Sequence, residues 1–120
     1  MITGIGIDLT ELERMRPHLD DVAFLRRVLT PEERECYQTL AGRRRAEFLA
    51  GRFAAKEAYA KARGTGIGRH VSLQDVSILN DPAGRPYVDR PPGGSERVHL
   101  SITHTDAVCA AFCVIESPSC

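Results

Sequence analysis

The stretch EFLAGRFAAKEAYAKARGTGIG, from Glu47 to Gly68, decides the fold. From Glu47 to Arg63 every residue except Gly51 is a tolerable or good helix former, and alanines at 50, 54, 55, 58, 60 and 62 strengthen the propensity, so a long helix is predicted. At about 100° per residue, Ala46, Leu49, Ala50, Phe53 and Ala60 gather on one arc, and Glu57 falls inside it. The wheel therefore aims a carboxylate at the interior. An uncompensated buried carboxylate is costly, and two partners could offset it. One is a metal ion; the other is Lys61, four residues on, as an i,i+4 ion pair.

The exit of this helix is rich in glycine. Gly64, Gly66 and Gly68 permit positive φ, so Gly64 can cap the helix and successive N–H groups can turn into one concavity that suits phosphate. Lys61, Arg63 and Arg69 surround it. The GxxxxGK[ST] spacing of a P-loop is missing, which leaves a plain turn as the other reading.

The 120 residues suffice for one domain spanning 1–120 with a single core. Sixteen basic residues balance sixteen acidic ones, so global charge argues for neither nucleic acid nor an anionic membrane. Cys36, Cys109, Cys113 and Cys120 show no zinc-ligand spacing, and Cys109 and Cys113 sit in the apolar run AVCAAFCVI as small core residues. Met1 leads straight into a strand pattern and the longest apolar run is far shorter than a membrane span; the expectation is a cytoplasmic protein.

Working outward, Ile2 to Leu9 alternates as a strand, with Ile5, Ile7 and Leu9 on one face and Gly4, Gly6 and Asp8 on the other. Glycines within a strand mark close approach by another backbone or a ligand, here beside Asp8. Asp8 reads either as a cap for the next helix or as a ligand. Thr10 and Glu13 form a capping box for a helix that Pro17 ends or bends. Phe24, Leu25, Val28 and Leu29 suggest a short helical turn with Arg26 and Arg27 on its other side. Thr30 and Pro31 start a further helix to about Leu40. Arg43 to Arg45 then read as a solvated face or as a phosphate clamp.

Beyond Gly68 the pattern changes to strands at Ser72 to Leu79 and Arg85 to Val88, with a turn at Asp81 to Gly84 between them and a loop at 91 to 94. Val98, Leu100 and Ile102 alternate in a strand ending at His104, and Ala107 to Ile115 returns antiparallel to it. This predicts an α+β domain with a long central helix on a small antiparallel sheet. His104, at a strand end, gains interest as a third group beside Asp8 and Glu57. An oxygen-rich Asp8 and Glu57 pair with phosphate suits Mg²⁺ better than zinc.

GIGIDLTELER at 4 to 14, FLAGRFAAKEAYAKARGTGIGR at 48 to 69 and SITHT at 101 to 105 closely resemble the holo-acyl-carrier-protein synthases, the small bacterial 4′-phosphopantetheinyl transferases. The similarity runs from Ile2 to about Glu116. It implies the 4′-phosphopantetheinyl transferase fold and a Mg²⁺-dependent transfer of 4′-phosphopantetheine from coenzyme A to a serine of apo-acyl carrier protein in fatty acid biosynthesis, with Mn²⁺ as a substitute metal. Asp8 and Glu57 match the metal ligands, and Lys61 a residue stabilising the departing phosphate. Arg52, Lys61, Gly64, Gly66, His104 and Thr105 match coenzyme-binding positions, and Arg44 one that reaches a 3′-phosphate from a neighbouring subunit. The resemblance further implies a homotrimer with sites at its interfaces. The serine's base is a metal-bound water or Glu57.

An acidic carrier calls for a basic docking surface, which Arg14, Arg26 and Arg27 supply. Two other function classes compete. A non-catalytic trimeric subunit binding coenzyme A or a nucleotide would be expected to lose Asp8 or Glu57, and both are present. A nucleic-acid module using Arg43 to Arg45 is disfavoured by zero net charge and few aromatics.

Overall fold

The computed structural model describes residues 1–68, 70–89 and 95–118. Strand β1 (Ile2–Glu11) is followed by the short helix α1 (Leu12–Met15), a 3₁₀ turn at Arg16–His18, and helices α2 (Val22–Val28), α3 (Pro31–Gln38) and α4 (Arg43–Ala62). A second 3₁₀ turn at Leu73–Asp75 leads to strands β2 (Ser77–Asn80), β3 (Pro86–Asp89), β4 (Arg97–His104) and β5 (Val108–Glu116). β1, β5 and β4 form an antiparallel sheet in that order, and β2 pairs with β3.

The expected long helix is present and starts four residues earlier, taking Arg43, Arg44 and Arg45 into its first turn. Its surroundings differ from the arc drawn above. Ala54, Ala55, Lys56, Ala58 and Tyr59 are buried as fully as Leu49 and Ala50, because α1, α2 and α3 pack on one side of α4 and the sheet and β2 on the other. Glu57 lies on the rim of this buried surface, only partly covered. Small side chains conceal the burial from any hydrophobicity wheel.

The two strand glycines bring β1 against the backbone of α4. A Cβ on Gly4 would stand 1.9 Å from the Ala62 carbonyl oxygen, and one on Gly6 would stand 2.0 Å from that of Ala58. No side chain fits there, so β1 lies directly on the last turns of α4 as the glycine face suggested.

Several boundaries depart from expectation. Thr10 caps no helix: β1 continues to Glu11, which pairs with Val108, and α1 has no side-chain cap. Pro17 falls in the 3₁₀ turn that follows α1. Thr30 and Glu33 do form a capping box for α3, which ends at Gln38. The strand expected over Ser72 to Leu79 begins only at Ser77 and runs on to Asn80, because Ser72 and Asp75 cap the 3₁₀ turn instead. The loop read at 91 to 94 lies outside the described residues, as does Cys120.

Candidate active site

Asp8 leaves β1 toward α4. Its Oδ1 accepts from Lys61 Nζ at 3.2 Å and its Oδ2 from the Thr10 hydroxyl at 3.2 Å. Lys61 also donates to the Ile7 carbonyl at 3.0 Å. The i,i+4 alternative is thereby overturned: Lys61 crosses to β1 rather than pairing along the helix, and among the described residues Glu57 has no ion pair. Burial holds the Glu57 carboxyl above the usual range, and the Asp8 charge pushes it the same way, with Lys61 and Arg14 opposing. A Glu57 carboxylate held up by burial and by the Asp8 charge is one that a cation would relieve. Among the described residues no cluster of three His, Cys, Asp or Glu side chains exists, so a metal here would draw further oxygens from substrate and water. That oxygen-only set fits Mg²⁺ and not zinc.

The glycine-rich exit does not form the free nest read from the sequence. Gly64 N–H donates to the Lys61 carbonyl at 2.9 Å, and Thr65 and Gly66 N–H to that of Ala60 at 3.2 and 3.1 Å. These bonds, with φ of 80° at Gly64 and 68° at Gly66, close the helix end. What Gly64 and Gly66 offer a ligand is open space, since a Cβ at either would meet nothing within 4 Å. Arg63 is engaged too, donating to Tyr59 Oη at 2.9 Å and to Glu96 at 2.7 Å. Arg69 lies outside the described residues.

The remaining cationic positions gather elsewhere. A cleft of about 510 Å³ is lined by Arg44, Glu47, Phe48, Arg52, Asn80 and His104 among others. Arg52 is nearly buried, donates to the Ile78 carbonyl at 3.2 Å and to Asn80, and lies over the Phe48 ring at 4.0 Å. Burial pulls its pKa down. Thr105 Oγ1 accepts from the N–H groups of Ala107 and Val108, each at 3.1 Å, which shapes the turn after His104. Of the three arginines, Arg43 pairs with Glu47 and Asp106, and Arg45 binds the Leu40 carbonyl and Asp20. Arg44 is exposed and makes no ion pair among the described residues. The solvated-face and clamp readings thus divide within a single run.

His104 does not join Asp8 and Glu57. β5 separates it from β1, as His104 and Thr10 both pair with Cys109, and its Nδ1 lies 3.8 Å from Glu47 Oε2. Glu57 and Lys61 stand roughly 140° and 180° around α4 from Arg52 at 3.6 residues per turn. One chain therefore carries two polar clusters facing different ways: carboxylates with Lys61, and the arginine–histidine cleft.

Arg14 is exposed over the Phe53 ring at 4.9 Å, and Arg26 and Arg27 are exposed on α2. Sequence reasoning passed over Lys56 and Glu33, which form a fully buried ion pair at 2.6 Å.

Residues 4–113 match the 4′-phosphopantetheinyl transferase superfamily, and the chain belongs to it. It is 55% identical over 117 residues to the holo-[acyl-carrier-protein] synthase of Geobacillus kaustophilus, covering 97% of this chain and 90% of that protein. It superposes with a TM-score of 0.90 and 49% identity on a holo-(acyl-carrier-protein) synthase from Bacillus anthracis in complex with coenzyme A (3′,5′-ADP), over 98% of each chain. The Helicobacter pylori holo-[acyl-carrier-protein] synthase in complex with coenzyme A gives a TM-score of 0.82 at 28% identity, over 93% of this chain and 99% of that one.

Proposed function

We propose that this chain transfers the 4′-phosphopantetheine group of coenzyme A to a serine of apo-acyl carrier protein, serving fatty acid biosynthesis in the cytoplasm. The observation that carries the reading is Asp8, Glu57 and Lys61 brought together across the glycine contact between β1 and α4. The serine oxygen bonds to the phosphorus bearing the pantetheine arm. The bond from that phosphorus to its bridging oxygen breaks, and the electron pair leaves with adenosine 3′,5′-bisphosphate as the serine proton is released.

Asp8 and Glu57 would hold Mg²⁺, with Mn²⁺ as a substitute, and the ion when bound neutralises charge on the pyrophosphate. Lys61, anchored by the Ile7 carbonyl and Asp8 yet half exposed, presents a cation to the departing phosphate. Gly64 and Gly66 leave room for the ligand beside it. Arg44, Arg52 and His104 bind the remainder of the coenzyme from the cleft, with Thr105 next to His104.

Since the two clusters diverge on one chain, each site is completed by a neighbouring copy in a homotrimer. The outer face of the sheet supports this, for Ile5, Ile7, Leu9 and Phe112 are all exposed. Arg14, Arg26 and Arg27 dock the acidic carrier. No helix among the described residues is long and apolar enough to cross a membrane. The test is the intact mass of apo-acyl carrier protein after incubation with coenzyme A, Mg²⁺ and this protein. A gain of one phosphopantetheine is expected, and an unchanged mass across several carriers would refute the transfer. Native mass spectrometry reads the trimer, and a monomer under assay conditions would remove the shared-site account.

A further inference from the structure

Helix α2 has only seven residues and ends without a glycine, for its cap, Leu29, is extended at φ −103° and ψ 137°. Its last carbonyls are therefore left for other groups to satisfy. Side chains from three other elements claim them. Gln74 Nε2 donates to the carbonyls of Arg26 at 2.8 Å, Arg27 at 3.0 Å and Leu29 at 2.9 Å. Lys56 Nζ takes that of Val28 at 2.7 Å, and Arg34 shares that of Leu29 at 2.7 Å. The Gln74 amide has two hydrogens for three acceptors, and its oxygen would be repelled there, so the nitrogen is the atom turned to α2. The backbone beneath it is pinned as well. Ser72 and Asp75 form a capping box around the 3₁₀ turn that carries Gln74, and Lys56 donates to the Leu73 carbonyl at 2.9 Å.

Arg26 and Arg27 project from this clamped end, exposed and outside the cationic cleft. Arg27 lies over the Phe24 ring at 5.4 Å, and that ring stacks on His18. A two-turn helix is marginal by itself, and a charge on a fraying end is spread over many positions. Exposed charges serve recognition chiefly through steering and register, so the backbone that bears them must hold still. We propose that Gln74 is a positioning residue for the acidic carrier: through the carbonyls at the end of α2 it holds Arg26 and Arg27 in one register. This rests on the docking role given to those arginines above. Of the three clamping side chains Gln74 is the uncharged one, and it is exposed, so its removal alters neither the buried Lys56–Glu33 pair nor the charge the carrier meets.

The experiment measures kcat and the KM values for apo-carrier and coenzyme A in the wild type, Gln74→Met, a variant with Arg26→Gln and Arg27→Gln, and the three substitutions together. Gln74→Met keeps the length of the side chain and removes its donors. It should raise the carrier KM about fivefold and leave kcat and the coenzyme A KM near wild type. In the background lacking both arginines it should add little, because it acts through them. Hydrogen exchange locates the change, with faster exchange expected in α2 and none in α4 or β5. An unchanged carrier KM, equal rises in both KM values, the same rise without the arginines, or faster exchange throughout the chain would each overturn the proposal. The arginine variant judges the docking reading separately: a wild-type carrier KM there removes that reading and the proposal with it, whereas a raised one beside an inert Gln74→Met removes the proposal alone. Calorimetric binding of apo-carrier to the same four proteins makes the comparison without turnover, so a chain that binds the carrier and transfers nothing still decides the role of Gln74.

Discussion

Lys56 and Glu57 are neighbours in the chain, and they live in opposite regimes. Lys56 is fully buried, and its ammonium donates to the Val28 carbonyl at 2.7 Å, Glu33 Oε1 at 2.6 Å and the Leu73 carbonyl at 2.9 Å. That uses all three of its donors. Glu33 in turn accepts from the N–H groups of Thr30 at 2.8 Å and Ile78 at 2.7 Å. Burial lowers the Lys56 pKa, and the Glu33 charge resists. Glu57, one residue on, is half-covered, has no ion pair among the described residues, and stands raised by burial and by Asp8. A saturated buried charge holds helices together, whereas an unsaturated one at a rim is free to take a ligand.

The comparison breaks if Lys56 can be removed cheaply. Lys56→Met strands the Glu33 carboxylate in the interior and should cost about 3–5 kcal/mol in denaturant unfolding. A loss below roughly 1 kcal/mol, the range of exposed ion pairs, would show that the pair is not the clamp described. Gly6→Ala sharpens the other side. Its methyl must displace the Ala58 carbonyl, so overpacking of about 1–3 kcal/mol is expected, together with weaker transfer as Asp8 is carried away from Glu57. Full activity and unchanged stability would mean that β1 adjusts without moving Asp8.

The smallest effect is expected where charge is most exposed. Arg14→Glu should raise the KM for apo-carrier severalfold and leave that for coenzyme A nearly unchanged, with added salt acting in the same selective way. Equal rises in both would reassign Arg14 to the Asp8–Glu57 cluster, where its charge already reaches Glu57.

Where the sequence was legible, one physical cause acted locally. The alanine-rich helix, the start of α3 at Thr30 and Pro31, the alternating β4 and β5, and the glycine face of β1 all follow from neighbouring residues. The failures were tertiary. Thr10 resembles a cap, yet its hydroxyl binds Asp8 because pairing with β5 carries β1 past it. The glycine N–H groups after α4 look available until the helix carbonyls claim them. Nothing local marks Lys56 as the buried lysine and Lys61 as the exposed one, or Arg44 as the uncommitted member of three arginines. Residue type and the resemblance single out Asp8 and Glu57, and their approach depends on a packing contact visible only in three dimensions. His104 ends β4, which β5 separates from β1 and Asp8, and no local pattern reveals that strand order.

The most direct test of this division is a paired measurement on Glu57→Gln, which keeps the shape of the side chain and removes its charge. Unfolding stability and the rate of phosphopantetheine transfer at saturating Mg²⁺ are read on the same preparation. The account predicts stability equal to the wild type or slightly higher, since a destabilised carboxylate next to Asp8 has been neutralised, with transfer reduced to background. Retained transfer accompanied by a loss of stability comparable to that of Lys56→Met would contradict it, and would make Glu57 a structural charge like its neighbour.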